Sequence, residues 1–343
     1  MKSHVNIPVF IPHLGCPNQC VFCNQRAISG VSEFKAESVR EIIDSALSTI
    51  SDEQEAEIAF FGGSFTGIER SLMLSLLDIA KEYIDRKKVS SIRLSTRPDY
   101  IDSEIINILK TYGVKTVELG LQSSSPDVLA FSKRGHGFHE EENACRMIVD
   151  SGIELVGQMM IGLPGSTLEK ELETADFIIK NGAVGARIYP TVVFYETELC
   201  DMAKSGAYEP LSLQDAVLRC AAVFEKFYDA GVNVIRIGLH SSENLTSKDS
   251  CYAGPNHPAL GELVINEFFY RKLLKELRKI NAQNKKIEIF VAKGALSKAV
   301  GQKQINKKKL TADFSADVIF SESEKLSGYD FFVEITERTK RCI

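Results

Sequence analysis

The chain has 343 residues, with 41 Lys or Arg against 46 Asp or Glu for a net charge of −5; 44% of it is hydrophobic, eight residues are Cys and none is Trp. Such a composition suits one barrel-sized domain with a smaller companion, and it excludes collagenous, disordered and coiled-coil architectures. No apolar run approaches the ~18 residues of a membrane span, and Met1-Lys2-Ser3-His4 lacks the basic, apolar, small order of a secretory signal, so a cytoplasmic chain without membrane contact is expected.

Short apolar runs alternate with amphipathic stretches as far as about residue 240. The pattern predicts strands at Ile7–Pro12, Glu57–Phe61, Ser91–Ser95, Thr116–Gly120, Leu155–Met160, Gly185–Tyr189 and Asn233–Ile237. Between them it predicts helices near Ala36–Thr49, Arg70–Arg86, Ser103–Tyr112, His139–Ser151, Leu168–Asn181 and Ser212–Ala230. Strand followed by helix implies parallel strands, because a crossover helix is what joins parallel neighbours. Repeated about six times without a doubly wound break, it implies an α/β fold of the partial TIM-like (β/α)6 barrel type, with chemistry at the C-terminal strand ends. A Ser-, Asn-, Gly- and Pro-rich stretch from 241 to 261 reads as a linking loop. Beyond it a helix at Glu262–Ile280 and apolar runs at Ile287–Ala292, Ala316–Phe320 and Tyr329–Ile335 predict a small C-terminal α/β domain over 262–343, the barrel taking 1–240.

Charge is uneven. Arg271 to Lys309 holds 13 basic and two acidic residues, a net of +11 on an acidic chain. A basic stripe of this kind is either a footprint for phosphates, RNA in particular, or the solvated face of Lys-rich helices. Arg271, Lys272, Lys275, Arg278 and Lys279 do recur at helical spacing beside Leu273, Leu274 and Leu277.

Three of the eight cysteines, Cys16, Cys20 and Cys23, fall within eight residues, while Cys145, Cys200, Cys220, Cys251 and Cys342 are scattered. This is a local chemical site, not a disulfide framework. The Cys-x3-Cys-x2-Cys group follows the first strand and so lies on a loop at the presumed active face. Thiolates are soft ligands, and three of them hold a cubane iron–sulfur cluster with one iron open, whereas structural zinc wants four closed ligands. A zinc site completed by His13 or a distant Cys remains the rival at this point. The second strand then ends in Phe60-Phe61-Gly62-Gly63-Ser64-Phe65, whose paired glycines let backbone approach a ligand closely.

These features resemble the radical S-adenosylmethionine (SAM) superfamily. Ser95-Thr96-Arg97-Pro98-Asp99-Tyr100-Ile101, Val117-Glu118-Leu119-Gly120-Leu121-Gln122-Ser123, Lys133-Arg134-Gly135-His136, Gln158-Met159-Met160-Ile161-Gly162-Leu163-Pro164-Gly165 and Arg187-Ile188-Tyr189-Pro190-Thr191 are similar, in order, to motifs of the Elongator subunit 3 (Elp3) radical SAM module. The likeness runs over residues 5–240. No acetyl-CoA loop follows it, so an Elp3-like protein lacking the acetyltransferase domain is expected, and the family's acetyl-CoA-dependent tRNA reaction is not carried over.

The resemblance implies a [4Fe–4S] cluster on Cys16, Cys20 and Cys23. It implies that Gly62, Gly63 and Ser64 hold the methionyl amino end of SAM, that Gln122 and Arg134 contact nucleoside and carboxylate, and that Phe22 covers the base. Ser95 and Gln158 occupy strand ends that are acidic in coproporphyrinogen oxidases, and Tyr189 is placed to close the adenosine pocket. The implied reaction is one-electron cleavage of SAM to a 5′-deoxyadenosyl radical that abstracts hydrogen, with a flavodoxin or ferredoxin as donor. The substrate stays open between tRNA or another RNA, approached through 271–309, and a small metabolite in the manner of the coproporphyrinogen oxidases. Cys251, Tyr252 and Tyr189 are the candidates for quenching a product radical.

Overall fold

The computed structural model describes residues 3–11, 16, 20–24, 34–51, 53–239 and 251–336. Six strands, β1 (Ser3–Ile11), β2 (Gln54–Gly62), β3 (Ser91–Thr96), β4 (Val114–Gln122), β5 (Glu154–Ile161) and β6 (Gly185–Pro190), pair in parallel in sequence order. The short β7 (Val193–Phe194) leaves that sheet, and β8 (Asn233–Ile237) adds a seventh parallel strand beside β6. Helices α1 (Val39–Leu47), α2 (Arg70–Asp85), α3 (Ser103–Thr111), α4 (Pro126–Phe131), α5 (Phe138–Asp150) and α6 (Leu168–Lys180) fill the crossovers, and α7 (Glu198–Lys204) and α8 (Leu213–Asp229) lie between β7 and β8. The expected parallel α/β partial barrel is what forms. Its strands run longer than their apolar cores: Thr116–Gly120 grows to Val114–Gln122, because the ladder is backbone and polar ends go on pairing. Pro12, the expected end of the first strand, lies outside the described residues.

One face of the sheet packs on helices through Ile58, Phe60, Leu94, Val117, Leu119, Met159 and Ile188, each essentially inaccessible. The opposite face carries charge. Glu118 on β4, wholly buried, accepts from Arg93 at 3.1 Å, from Gln158 at 2.9 Å and from Arg187 at 2.7 and 2.9 Å. Glu57 on β2 accepts from Arg93 at 2.7 Å and Ser91 at 2.8 Å. Two carboxylates and two guanidiniums thus neutralise each other across β2, β3, β4 and β6. Buried charge is tolerable only when paired and hydrogen-bonded in this way.

Two compact units are present, one of residues 1–213 and 226–258, the other of 214–225 and 259–343. Part of α8 therefore groups with the C-terminal residues, and β9 (Cys251–Ala253) pairs antiparallel with β7 in the first unit, so the units are not divided simply along the chain. In the second unit β10 (Lys286–Ala292) is central, parallel to β11 (Asp317–Ser323) and antiparallel to β12 (Phe331–Thr336). It also holds α9 (Leu260–Lys279), α10 (Leu296–Val300) and α11 (Ile305–Phe314). Its core includes the mutually edge-on rings of Phe224, Phe268, Phe269 and Tyr329.

Candidate active site

Cys20 to Asn24 is a short segment tied down through Val21 and by Asn24, whose Nδ2 donates to the Tyr195 carbonyl at 3.2 Å. The Val21 N–H donates to the Ser132 carbonyl at 3.2 Å, and the Val21 carbonyl accepts from Leu199 N–H at 2.8 Å. Val21 itself is buried among Val193, Leu199, Cys200 and Tyr208, with Phe22 packed alongside. A tight turn, Cys23 N–H to Cys20 carbonyl at 2.9 Å, brings these two cysteines together. The segment is thus held by α4's C-terminal side and by α7, two helices of six and seven residues too short for periodicity to reveal. Thr197 caps α7, its hydroxyl accepting from Cys200 N–H at 3.2 Å.

At the end of β2 the chain turns on Gly62, whose φ is +115°. A Cβ there would stand 2.6 Å from the Ile11 carbonyl oxygen of the paired strand, so only glycine fits. The same oxygen accepts from Gly63 N–H at 2.9 Å. Ser64, fully buried, bonds Thr96 Oγ1 at 2.9 Å and accepts from the Arg97 N–H at 3.1 Å, which locks the second strand's turn to the third's.

Arg97 follows β3. Pro98 starts a single turn over Pro98–Tyr100 that folds Asp99 back onto the guanidinium, with both carboxylate oxygens at 2.9 Å. Burial alone would push the Arg97 group down, but Asp99 more than reverses it; the same pairing outweighs burial to hold Asp99 below the usual carboxylate range. Arg97 also donates to the Arg134 carbonyl at 2.5 Å and directs Nη1 at Cys20 Sγ, 3.9 Å away. Arg134, on a turn that needs φ of +51° at Lys133 and +77° at Gly135, donates to the Gly120 carbonyl at 2.5 Å and to Cys20 Sγ at 3.2 Å.

Behind this turn lie His136 and Glu141, side chains fully buried with Nδ1 and Oε1 3.6 Å apart. Burial, then the Arg134 charge, depresses His136 to about 4, and burial raises Glu141 well above its ordinary value, so burial opposes a charge on either group.

These groups surround one cavity of about 600 Å³, a size typical of small-ligand sites. Cys16, Cys20, Phe22, Cys23, Gly62, Gly63, Ser64, Ser95, Gln122, Arg134 and Gln158 all line it. Of the residues expected at the site, Tyr189 is not among the lining: its phenol pairs with Arg187 on the charged face of the sheet. His13, the ligand of the zinc alternative, lies outside the described residues. Among the described residues no group of three or more His, Cys, Asp or Glu side chains is gathered tightly enough for a single metal ion. Among the described residues, two buried polar atoms at the cavity, Gln122 Oε1 and Arg134 Nε, have no hydrogen-bond partner. Gln122 also sits past a bulge in the β4–β5 pairing with φ +69°, a strained conformation for a non-glycine residue.

Arg97 was not singled out by the sequence analysis, although it lines the cavity. The signal available was Arg-Pro-Asp at a strand end, a turn that returns the acid to its own arginine. Of the proposed radical quenchers, Cys251 and Tyr252 sit on β9 and are not among the lining residues. The basic segment 271–309 spans α9, β10, α10 and part of α11, and part of its charge is matched locally: Arg271 by Glu225, Lys279 by Glu276, Lys293 by Glu324 and Lys309 by Glu267.

Comparison with known proteins places these features. The Radical SAM superfamily description matches residues 10–178, and the Radical_SAM C-terminal domain matches 183–269. The chain is 35% identical over 127 residues to a tRNA uridine(34) acetyltransferase of Methanocaldococcus jannaschii, covering 36% of this chain and 24% of that protein. It is 34% identical over 143 residues to human Elongator complex protein 3, covering 40% of this chain and 26% of that protein. The match therefore spans about a quarter of the length of these relatives. In fold it is similar to the archaeal Elp3 of Methanocaldococcus infernus, with TM-score 0.59 and 22% identity over 82% of this chain and 64% of that one. Among the described residues no helix is long and apolar enough to cross a membrane. The chain belongs to the radical SAM superfamily, enzymes that use a [4Fe–4S] cluster and SAM, and its barrel is Elp3-like.

Proposed function

We propose that Cys16, Cys20 and Cys23 carry the [4Fe–4S] cluster, that SAM occupies the adjoining cavity, and that the substrate is tRNA or another RNA. One observation carries the site assignment: three thiols, the Gly62–Ser64 turn and two unpartnered buried polar atoms meet in a single cavity. The donor set fits the groups. Three soft thiolates leave one iron of a cubane cluster for another ligand. A buried acceptor on Gln122 and a buried donor on Arg134 call for a ligand bearing amino, hydroxyl and carboxylate groups, since buried polar atoms are rarely left unpaired.

When bound, the cluster and SAM supply one-electron cleavage of SAM and removal of a hydrogen atom from the substrate. The protein's share is to bind, orient and exclude water. Gly62 and Gly63 let backbone approach the methionyl end, Phe22 covers the base, and Ser95 and Gln158 offer hydrogen bonds from strand ends. A flavodoxin or ferredoxin provides the electron, in the reducing cytosol that a thiolate-bound cluster needs.

Anaerobic reconstitution, reduction and assay for 5′-deoxyadenosine test the site. The expected result is a brown protein that cleaves SAM, with Cys20→Ala losing both iron and turnover. A colourless protein with one zinc per chain and no SAM cleavage supports the zinc-binding alternative instead. The RNA assignment is supported by the names of the matched relatives and by the basic segment. Filter binding of tRNA across a salt series should show affinity falling steeply with salt, as phosphate contacts require. Absent or salt-indifferent binding removes RNA and leaves a small metabolite, which metabolite profiling of a deletion strain would reveal.

A further inference from the structure

We infer that Arg97 and Arg134 form a cationic clamp on the sulfur of Cys20 and set how readily a cluster anchored there accepts an electron. This rests on the cluster assignment proposed above. Both guanidiniums donate toward the same sulfur, Arg134 Nη1 at 3.2 Å and Arg97 Nη1 at 3.9 Å. Neither is a chance rotamer. Arg97 is fixed on its other edge by two bonds to Asp99 and one to the Arg134 carbonyl, so that only Nη1 is turned to the sulfur. Arg134 is fixed by the Gly120 carbonyl. Both residues are about 95% buried.

The local charge does not cancel. Among the described residues hydrogen-bonded to the pair, Asp99 supplies one negative charge for two guanidiniums. One net positive charge is left over Cys20 before the cluster and its thiolates are counted. Negative charge added to an iron–sulfur centre spreads onto its sulfur ligands, and hydrogen bonds and positive charge at those sulfurs raise the reduction potential. The step affected is transfer of one electron from a one-electron reductant, dithionite in the test, to the oxidised cluster. The reductant is oxidised by one electron, and no bond or proton changes hands. Asp99 then acts as a positioning residue, aiming Arg97 while neutralising half of the pair.

The test compares wild type, Arg97→Gln, Arg134→Gln and Arg97→Lys after anaerobic reconstitution. Iron and sulfide are counted first; the cluster midpoint is then measured without SAM by mediated redox titration followed by EPR. Each Gln variant is expected to hold wild-type iron yet show at least about a tenfold lower ratio of reduced to oxidised cluster at a fixed potential, a fall of ~59 mV for one electron. Arg97→Lys, which keeps the charge, stays nearer wild type. Unchanged midpoints in fully loaded Gln variants overturn the inference. So does loss of iron from both, which makes the clamp an assembly device. A wild-type protein that takes up no iron–sulfur cluster defeats the cluster assignment itself, a separate and visible failure.

Discussion

Replacing Gly62 with Ala tests whether the cavity is built on a turn only glycine can make. The residue pairs with Ile11 across β1 and β2, and its φ of +115° lies where an L side chain is strained. That strain costs about 1–2 kcal/mol. The new Cβ would also meet Ile11 oxygen at 2.6 Å, carbon at 3.0 Å and nitrogen at 3.1 Å. These are backbone atoms of the neighbouring strand and cannot swing aside, so a forced displacement adds about 1–3 kcal/mol. The total, about 2–5 kcal/mol, corresponds to a drop in Tm of roughly 5–15 °C for a unit of this size. Gly152→Ala is the control: φ is +84°, but a Cβ there meets nothing within 4 Å, so only the backbone strain applies. Circular-dichroism melts of both variants isolate the steric part. Calorimetric SAM titration should show binding weakened at least about tenfold (~1.4 kcal/mol) for Gly62→Ala, whose clash shifts Gly63 and Ser64, and unchanged for Gly152→Ala. Two variants that melt together, both binding SAM normally, would refute the reasoning.

Glu118→Ala strips the acceptor from Arg93, Gln158 and Arg187 and leaves buried guanidiniums uncompensated; urea unfolding should show a loss of about 3–5 kcal/mol, with Glu118→Gln losing less. Gln122→Gly relieves a side chain held at φ +69°, so unfolding should show a gain of about 1 kcal/mol while SAM binding weakens, a stability gain at functional cost. The His136–Glu141 pair gives a pH signature. His136, depressed to about 4, contributes stability that is lost as pH falls from about 6.5 through that value. Glu141, raised well above its ordinary value, makes stability fall as pH rises above about 4.5 until its folded-state titration is passed. The two slopes oppose each other between about pH 4.5 and 6.5. Urea midpoints of Glu141→Gln should lack the fall that begins above about pH 4.5 and keep the His136 slope.

Much of this molecule is written in local pattern. The alternation of apolar runs with amphipathic stretches fixes parallel strands, because each side chain's burial follows from the period of its own element. The cysteine spacing and the Phe61-Gly62-Gly63-Ser64 strand end could be read for the same reason, since each is a short segment whose chemistry is set by neighbours along the chain. Tertiary structure decided what distant segments do to one another. The four-residue ion network of Glu57, Arg93, Glu118 and Arg187 joins strands up to 130 residues apart and is silent in any window of sequence. Arg97 and Arg134 reach one sulfur only because β3 and the turn after α4 end at the same rim. The basic run 271–309 shows the converse: a net of +11 along the chain is tempered in space by acids such as Glu225 and Glu267, because charge acts through distance, and folding sets distance.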